Sequence, residues 1–262
     1  MVYTCYEMIR DCRADRPEGW SYFLTHYVPV IRRLVAHYAP ERTGDAALVE
    51  RVIGAMRRPE SGLFDSLEPA PERWFIAGLR QKVLEEIAAP AAEVPIELTA
   101  VAEALAPLTL TEKLAAWLES MRYKPEEAAA MLRISPATVE KIRDRAAETI
   151  RAKSENWRRT MLADNGIALG RAAAAAETKD CLPAKAFLDI LDGRTTWSGR
   201  EQMERHVNTC WHCVDHYCRM LEVVEVMRGV KPLDPAEAAE IRKALGLPEE
   251  KKGGWKRLFG GG

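Results

Sequence analysis

The densest chemistry in the chain is the run His206-Val207-Asn208-Thr209-Cys210-Trp211-His212-Cys213. On a helix, residues four apart share a face, so His206 and Cys210 are expected to converge on one ion. Cys210 and Cys213 have the two-residue gap that lets both thiolates reach one tetrahedral centre. A closed site needs a fourth donor. Cys181 lies 25 residues before His206 and opens the preceding helical segment. A turn at Asp192-Gly193-Arg194 would fold residues 185–191 back against 201–209 and bring it near. Cys218 is the alternative: a replacement ligand, a resolving thiol or a packed residue. His212 and His216 are extra candidates. Burial of Cys210 and Cys213 as small hydrophobes is the plain alternative, but a Cys-x2-Cys preceded at four residues by a histidine is rare by chance.

A mixed imidazole–thiolate set suits Zn2+, which brings no redox change of its own. Metal binding to such peptides is worth about 10–16 kcal/mol, so residues 180–229 are expected to fold only when loaded. Oxidation of the thiolates would release the ion and loosen the helices.

The elements that must carry these residues are helical. Apolar residues recur with helical periodicity and alternating strand patterns are scarce, which predicts an all-α chain. Two helices are expected over 5–38, the second from Trp20 onward after Pro17-Glu18-Gly19, with Pro29 kinking or dividing it. A third covers 46–57, with Leu48, Val52, Ile53 and Met56 on one stripe. A fourth runs from Pro71 to Glu86 with Trp74, Leu79, Val83 and Ile87 apolar. The Ala/Pro-rich stretch 89–107 reads as a linker, as does 161–179, although its alanine run suits a helix equally well. The divisions are therefore 1–88, 108–160 and 180–229, followed by 230–262, which holds one more helix over 235–245 and a glycine-flanked end with Trp255, Leu258 and Phe259.

Lys124-Pro125-Glu126-Glu127-Ala128-Ala129-Ala130-Met131-Leu132-Arg133-Ile134-Ser135-Pro136 outlines a helix, a turn and the start of a second helix. Pro125 fits a first turn, with two glutamates at its positive end. Ser135 is an apt N-cap and Pro136 fits position N1. Val139, Ile142 and Ala146 then form the buried stripe of the second helix. Ala137, Thr138, Glu140, Lys141 and Asp144 are left outward with Arg143 and Arg145 flanking, a face suited to a DNA major groove. Lys141, Arg143, Arg145, Arg151, Lys153, Arg158 and Arg159 are candidate phosphate contacts. A merely solvated charged face on a three-helix bundle is the alternative.

Residues 109–153 resemble region four of the extracytoplasmic-function sigma factors: Tyr123, Glu127, Ala128, Leu132, Ile134, Thr138 and Val139 echo that family's frame. The N-terminal helices are similar to region two of the same family, through Trp20-Ser21-Tyr22-Phe23 and Pro29-Val30-Ile31-Arg32-Arg33-Leu34. Leu48, Val49, Glu50, Arg51 and Val52 stand where the resemblance places the polymerase clamp-binding helix, and Arg73-Trp74-Phe75-Ile76-Ala77 where the strand-separation helix begins. The family's acidic Asp-x-x-Gln-Glu signature is replaced here by Ala47-Leu48-Val49-Glu50-Arg51. The frame Cys181…His206-x3-Cys210-x2-Cys213, with Phe187-Leu188-Asp189-Ile190-Leu191-Asp192-Gly193 between, is similar to the zinc-binding anti-sigma family over about residues 180–225.

These resemblances imply two small sigma-like helical domains, the second a helix-turn-helix, and a small zinc-stapled helical domain. The expected function is a transcription regulator that binds promoter DNA and RNA polymerase core and is controlled in cis by the zinc domain. The alternative is a non-initiating adaptor that binds a sigma or anti-sigma partner through that domain.

Composition bounds the rest. With 262 residues and a net charge of −1, two or three domains are expected and any nucleic-acid contact must come from a local patch. No membrane-length apolar stretch and no signal sequence appear, so the protein is expected in the cytoplasm. Six cysteines there argue for metal or redox chemistry over a disulfide framework. There is no phosphate-cradling glycine loop and no nucleophile–base constellation, so an enzyme is not expected.

Overall fold

The computed structural model describes residues 3–58, 72–87, 103, 105–151 and 166–249. Among them every regular element is a helix. The expected all-α class is observed. No described helix is long and apolar enough to cross a membrane. The chain divides into two units, one formed by Met1–Ile87 with Val226–Gly262 and the other by Ala88–Glu225.

The first unit holds α1 (Cys5–Arg13), α2 (Pro17–Tyr38), α3 (Ala46–Arg57), α4 (Glu72–Ile87) and, from the far end of the chain, Pro235–Ala244. Thr4 and Glu7 cap α1 reciprocally, with Glu7 N–H to Thr4 Oγ1 at 3.2 Å and Thr4 N–H to Glu7 Oε2 at 2.7 Å. Helix α2 begins three residues earlier than the Pro17-Glu18-Gly19 sequence suggests. Pro17 occupies its first turn, and Gly19 lies against α1, where an added Cβ would stand 2.6 Å from the Cys12 nitrogen. Glycine is needed for that approach.

Of the two outcomes expected at Pro29, a kink or a division, the division does not occur: α2 runs on through it. Proline cannot donate to the carbonyl four residues back, that of Thr25. The backbone N–H of Leu233 makes that bond instead, at 2.8 Å. Trp20, Phe23, Leu24, Tyr27, Ile31 and Leu34 of this helix are almost wholly buried, and Phe75 of α4 meets the Tyr27 ring edge-on at 5.1 Å. Trp74, placed on the apolar stripe of α4, is instead exposed, with its neighbours Phe75 and Ile76 turned inward.

The second unit carries α5 (Leu110–Ser120), α6 (Pro125–Leu132), α7 (Pro136–Arg151), α8 (Ile167–Ala175), α9 (Ala184–Leu191), α10 (Trp197–Val207) and α11 (Trp211–Met227) as far as Glu225. The helix-turn-helix and the cysteine-bearing segment thus lie in one unit. Trp117 of α5 stacks on Trp211 at 5.6 Å and donates its indole N–H to Asp215 at 3.0 Å. Tyr123 donates to the buried Glu222 at 2.7 Å. Between them, the stretch read as a second linker contains α8. Gly166 precedes it with φ +74, packed so closely on Ser120 that a Cβ would lie 2.6 Å from the Ser120 carbonyl oxygen.

Candidate metal centre and helix-turn-helix

Three elements bring the sulfur and imidazole donors together. Cys181 sits in the bend before α9, His206 in the last turn of α10, and Cys210 immediately before α11, whose first turn holds Cys213. Their ligand atoms all lie within 4.8 Å of one another. Cys181 Sγ and Cys210 Sγ are 3.6 Å apart, and His206 Nε2 is 3.2 Å from Cys213 Sγ. A tetrahedral centre with metal–sulfur bonds of 2.3 Å spaces two sulfurs by ~3.8 Å. The four residues could therefore hold a metal ion, and none of the six cysteines is in a disulfide.

His206 and Cys210 converge by a different route from the expected one. They do not share a helix: α10 ends at Val207, and Asn208 and Thr209 turn the chain into α11. Cys181 is the fourth member of the cluster, and Cys218 is not. Its sulfur is wholly buried and faces the Leu114 carbonyl at 3.8 Å. His212 and His216 also lie outside the cluster, and His216 stacks on Phe187 at 5.2 Å.

The surroundings prepare the sulfurs for metal. The Thr178 N–H donates to Cys181 Sγ at 3.2 Å and the Leu182 N–H to Cys213 Sγ at 3.5 Å. Cys213 lies at the N-terminal end of α11, where the helix dipole favours thiolate. Burial nonetheless pushes the Cys213 thiol up to about 12, helped by the neighbouring Cys210 and Cys181 sulfurs. Burial likewise raises Cys210. At Cys181 burial also acts upward, but hydrogen bonds from the Thr178 backbone and hydroxyl and from the other two sulfurs outweigh it and lower the thiol. Three thiolates cannot crowd together without a cation, and a divalent metal supplies one. Thr178 and Leu182 escaped the sequence reading, because backbone donors leave no signature in residue type.

In the helix-turn-helix, Ser135 caps α7 by accepting from the Thr138 N–H at 3.1 Å, as its position suggests. Arg133 ends α6 in a left-handed conformation, φ +57. Val139 and Ala146 are buried, while Ile142 is half-buried. Ala137, Thr138, Glu140, Lys141, Asp144 and Arg145 are exposed. Arg143 differs: it is half-buried and donates to the Tyr123 carbonyl at 2.8 Å, across the base of the motif. Arg145 pairs with Glu112 at 2.9 Å. Lys153, Arg158 and Arg159 lie outside the described residues, as do Trp255, Leu258 and Phe259.

On α3, Leu48, Val49 and Val52 belong to the core of the first unit. Glu50 is half-buried and Arg51 is exposed, standing 3.5 Å from Glu86. Of these five residues, Glu50 and Arg51 are the two that reach the surface.

Comparison with known protein families, with curated proteins and with solved structures returned no match.

Proposed function

We propose that this chain is a sigma-factor-like transcription regulator that binds promoter DNA through α7 and carries one structural Zn2+ at Cys181, His206, Cys210 and Cys213. The observation that carries the reading is the outward, N-terminal half of α7, with Lys141 exposed, on a helix-turn-helix packed against α5, whose Trp117 bonds Asp215 of α11. Four protein donors close the coordination sphere and leave no position for a substrate, which favours a structural ion over a catalytic one. A soft thiolate-rich set with one imidazole selects Zn2+ over harder divalent ions. The absence of a disulfide among the six cysteines suits a reducing cytoplasm.

In this reading RNA polymerase core meets the first unit through Glu50, Arg51 and their surroundings, and the zinc-bearing helices control the helix-turn-helix by packing on it. Run-off transcription with core polymerase, full chain and a panel of promoter fragments tests it. Promoter-dependent transcripts that disappear with Lys141→Glu are expected; no transcript and no binding of any duplex would overturn it.

A second reading, a non-initiating adaptor that binds a sigma or anti-sigma partner, is favoured by two observations. Leu48, Val49 and Val52 are buried, and Glu140 and Asp144 place negative charge on the face that would meet phosphates. Capture of a sigma or anti-sigma partner without core polymerase would select it.

A further inference from the structure

Lys113, on α5, is a cation in an unusual position. Its side chain is almost completely buried, and among the described residues no carboxylate lies within ion-pair distance of it. Its ammonium donates to the Asn208 carbonyl at 2.6 Å and to Asn208 Oδ1 at 3.0 Å. It also stands 5.8 Å from the centre of the Trp211 ring, within range of a cation–π attraction. Burial lowers its pKa below 10.5. A buried ammonium held only by neutral acceptors is costly, and an apolar side chain of the same length would serve packing better.

The partners show where the compensation lies. Asn208 is in the turn between His206 and Cys210, and Trp211 lies between Cys210 and Cys213. Lys113 therefore grips both short connections of the metal centre from a helix 95 residues away in the chain. When a divalent ion is bound, three thiolates and a neutral imidazole around it leave the centre with one negative charge.

We infer that Lys113 is the counter-ion and positioning residue of the metal centre, fixing the two turns that carry His206, Cys210 and Cys213 and offsetting the charge that metal loading creates. The inference rests on the metal reading given above. Trp117 backs the same contact by stacking on Trp211. Because α5 also carries Glu112, the partner of Arg145 on α7, metal affinity and the packing of the helix-turn-helix are linked, and the linkage is reciprocal.

The test uses the full chain with Lys113→Met, Lys113→Gln and Lys113→Arg. Zn2+ affinity is measured by competition with a chromophoric chelator, and thermal stability is measured with the metal bound and with it removed. Lys113→Met and Lys113→Gln are expected to bind Zn2+ about 10–100-fold more weakly, the usual effect of losing a group that supports metal ligands. Lys113→Arg, which keeps the charge, should lie between them and the natural chain. Lys113→Met should cost less stability without metal than with it, because the charge that Lys113 offsets is absent. A glutamine variant that binds Zn2+ as tightly as the natural chain, or a methionine variant that loses as much stability without metal as with it, overturns the inference. A natural chain that binds no Zn2+ instead overturns the metal reading itself.

Discussion

Leu233 gives its backbone N–H to the carbonyl of Thr25, the acceptor that Pro29 leaves without a helical donor. A proline inside a helix normally costs ~3 kcal/mol, through a lost hydrogen bond and a steric clash. Here the lost bond is replaced from a segment more than two hundred residues later, so α2 and the C-terminal segment are parts of one unit. The neighbouring ion pair of Arg32 with Glu237, at 2.5 Å, holds the same segment against α2.

A double-mutant cycle measures this replacement. Leu233→Pro removes the donor and should destabilise the first unit in urea, about 1–3 kcal/mol of the loss coming from the stranded carbonyl. In a Pro29→Ala background the helix supplies its own donor, so the same substitution should cost less. The loss of the Leu233 side chain is common to both arms and cancels. Equal costs in the two backgrounds would show that the bond contributes nothing.

The metal centre makes a sharper prediction. Elemental analysis of the purified chain should find one ion per molecule. Cys181→Ser and His206→Ala should each lose it or bind it far more weakly, whereas Cys218→Ala should keep it. The last substitution should instead lower stability by about 1 kcal/mol, the cost of a small cavity, because Cys218 is a wholly buried packing residue. Retention of metal by Cys181→Ser together with loss in Cys218→Ala would reverse the assignment.

How far the sequence carried this picture depends on where each cause resides. The all-helical class, α3 over Ala46–Arg57 and the Ser135 cap are local in origin, and periodicity or a single side chain announces them. The metal cluster was legible too, although its mechanism was not. Spacing put His206 and Cys210 together on one helical face, whereas a turn at Asn208 does so. That Pro29 leaves α2 undivided was not legible locally, because the donor that replaces its missing N–H comes from Leu233. Trp74 misled because the buried stripe of α4 holds Leu79 and Val83 as expected but begins at Phe75 and Ile76, which leaves Trp74 outside it. Lys113 reads as an ordinary surface lysine until the fold buries it.

His216 predicts a dependence on pH. Burial beside Phe187, with Arg219 and His212 nearby, lowers its pKa from 6.5 to about 4. The folded chain therefore refuses a proton that the unfolded chain accepts. The stability that His216 contributes should be complete above pH 6.5, fall between there and about pH 4, and be gone below. One proton contributes at most ~1.4 kcal/mol per pH unit. His216→Phe, which preserves the stack on Phe187, should flatten that part of the profile relative to the natural chain when both carry metal, since loss of metal in acid is common to the two. Parallel profiles for the two chains would remove His216 from the account.

The last prediction separates DNA contact from packing within one helix. Lys141 is exposed on α7, while Arg143, two residues on, is half-buried and bonded to the Tyr123 carbonyl at 2.8 Å. Lys141→Ala should leave the thermal midpoint nearly unchanged and weaken duplex binding across sequences. The slope of log affinity against log salt should fall by about one, as expected for one lost phosphate contact. Arg143→Ala should do the opposite: it removes the hydrogen bond to the Tyr123 carbonyl and the packing of the half-buried guanidinium and so lowers stability, and its effect on DNA binding should follow from that loss. Binding isotherms at several salt concentrations, with melting curves for both variants, decide the matter. If Lys141→Ala leaves affinity and salt slope unchanged on a duplex that the natural chain binds, the outward face of α7 is a solvated surface and another element meets the DNA.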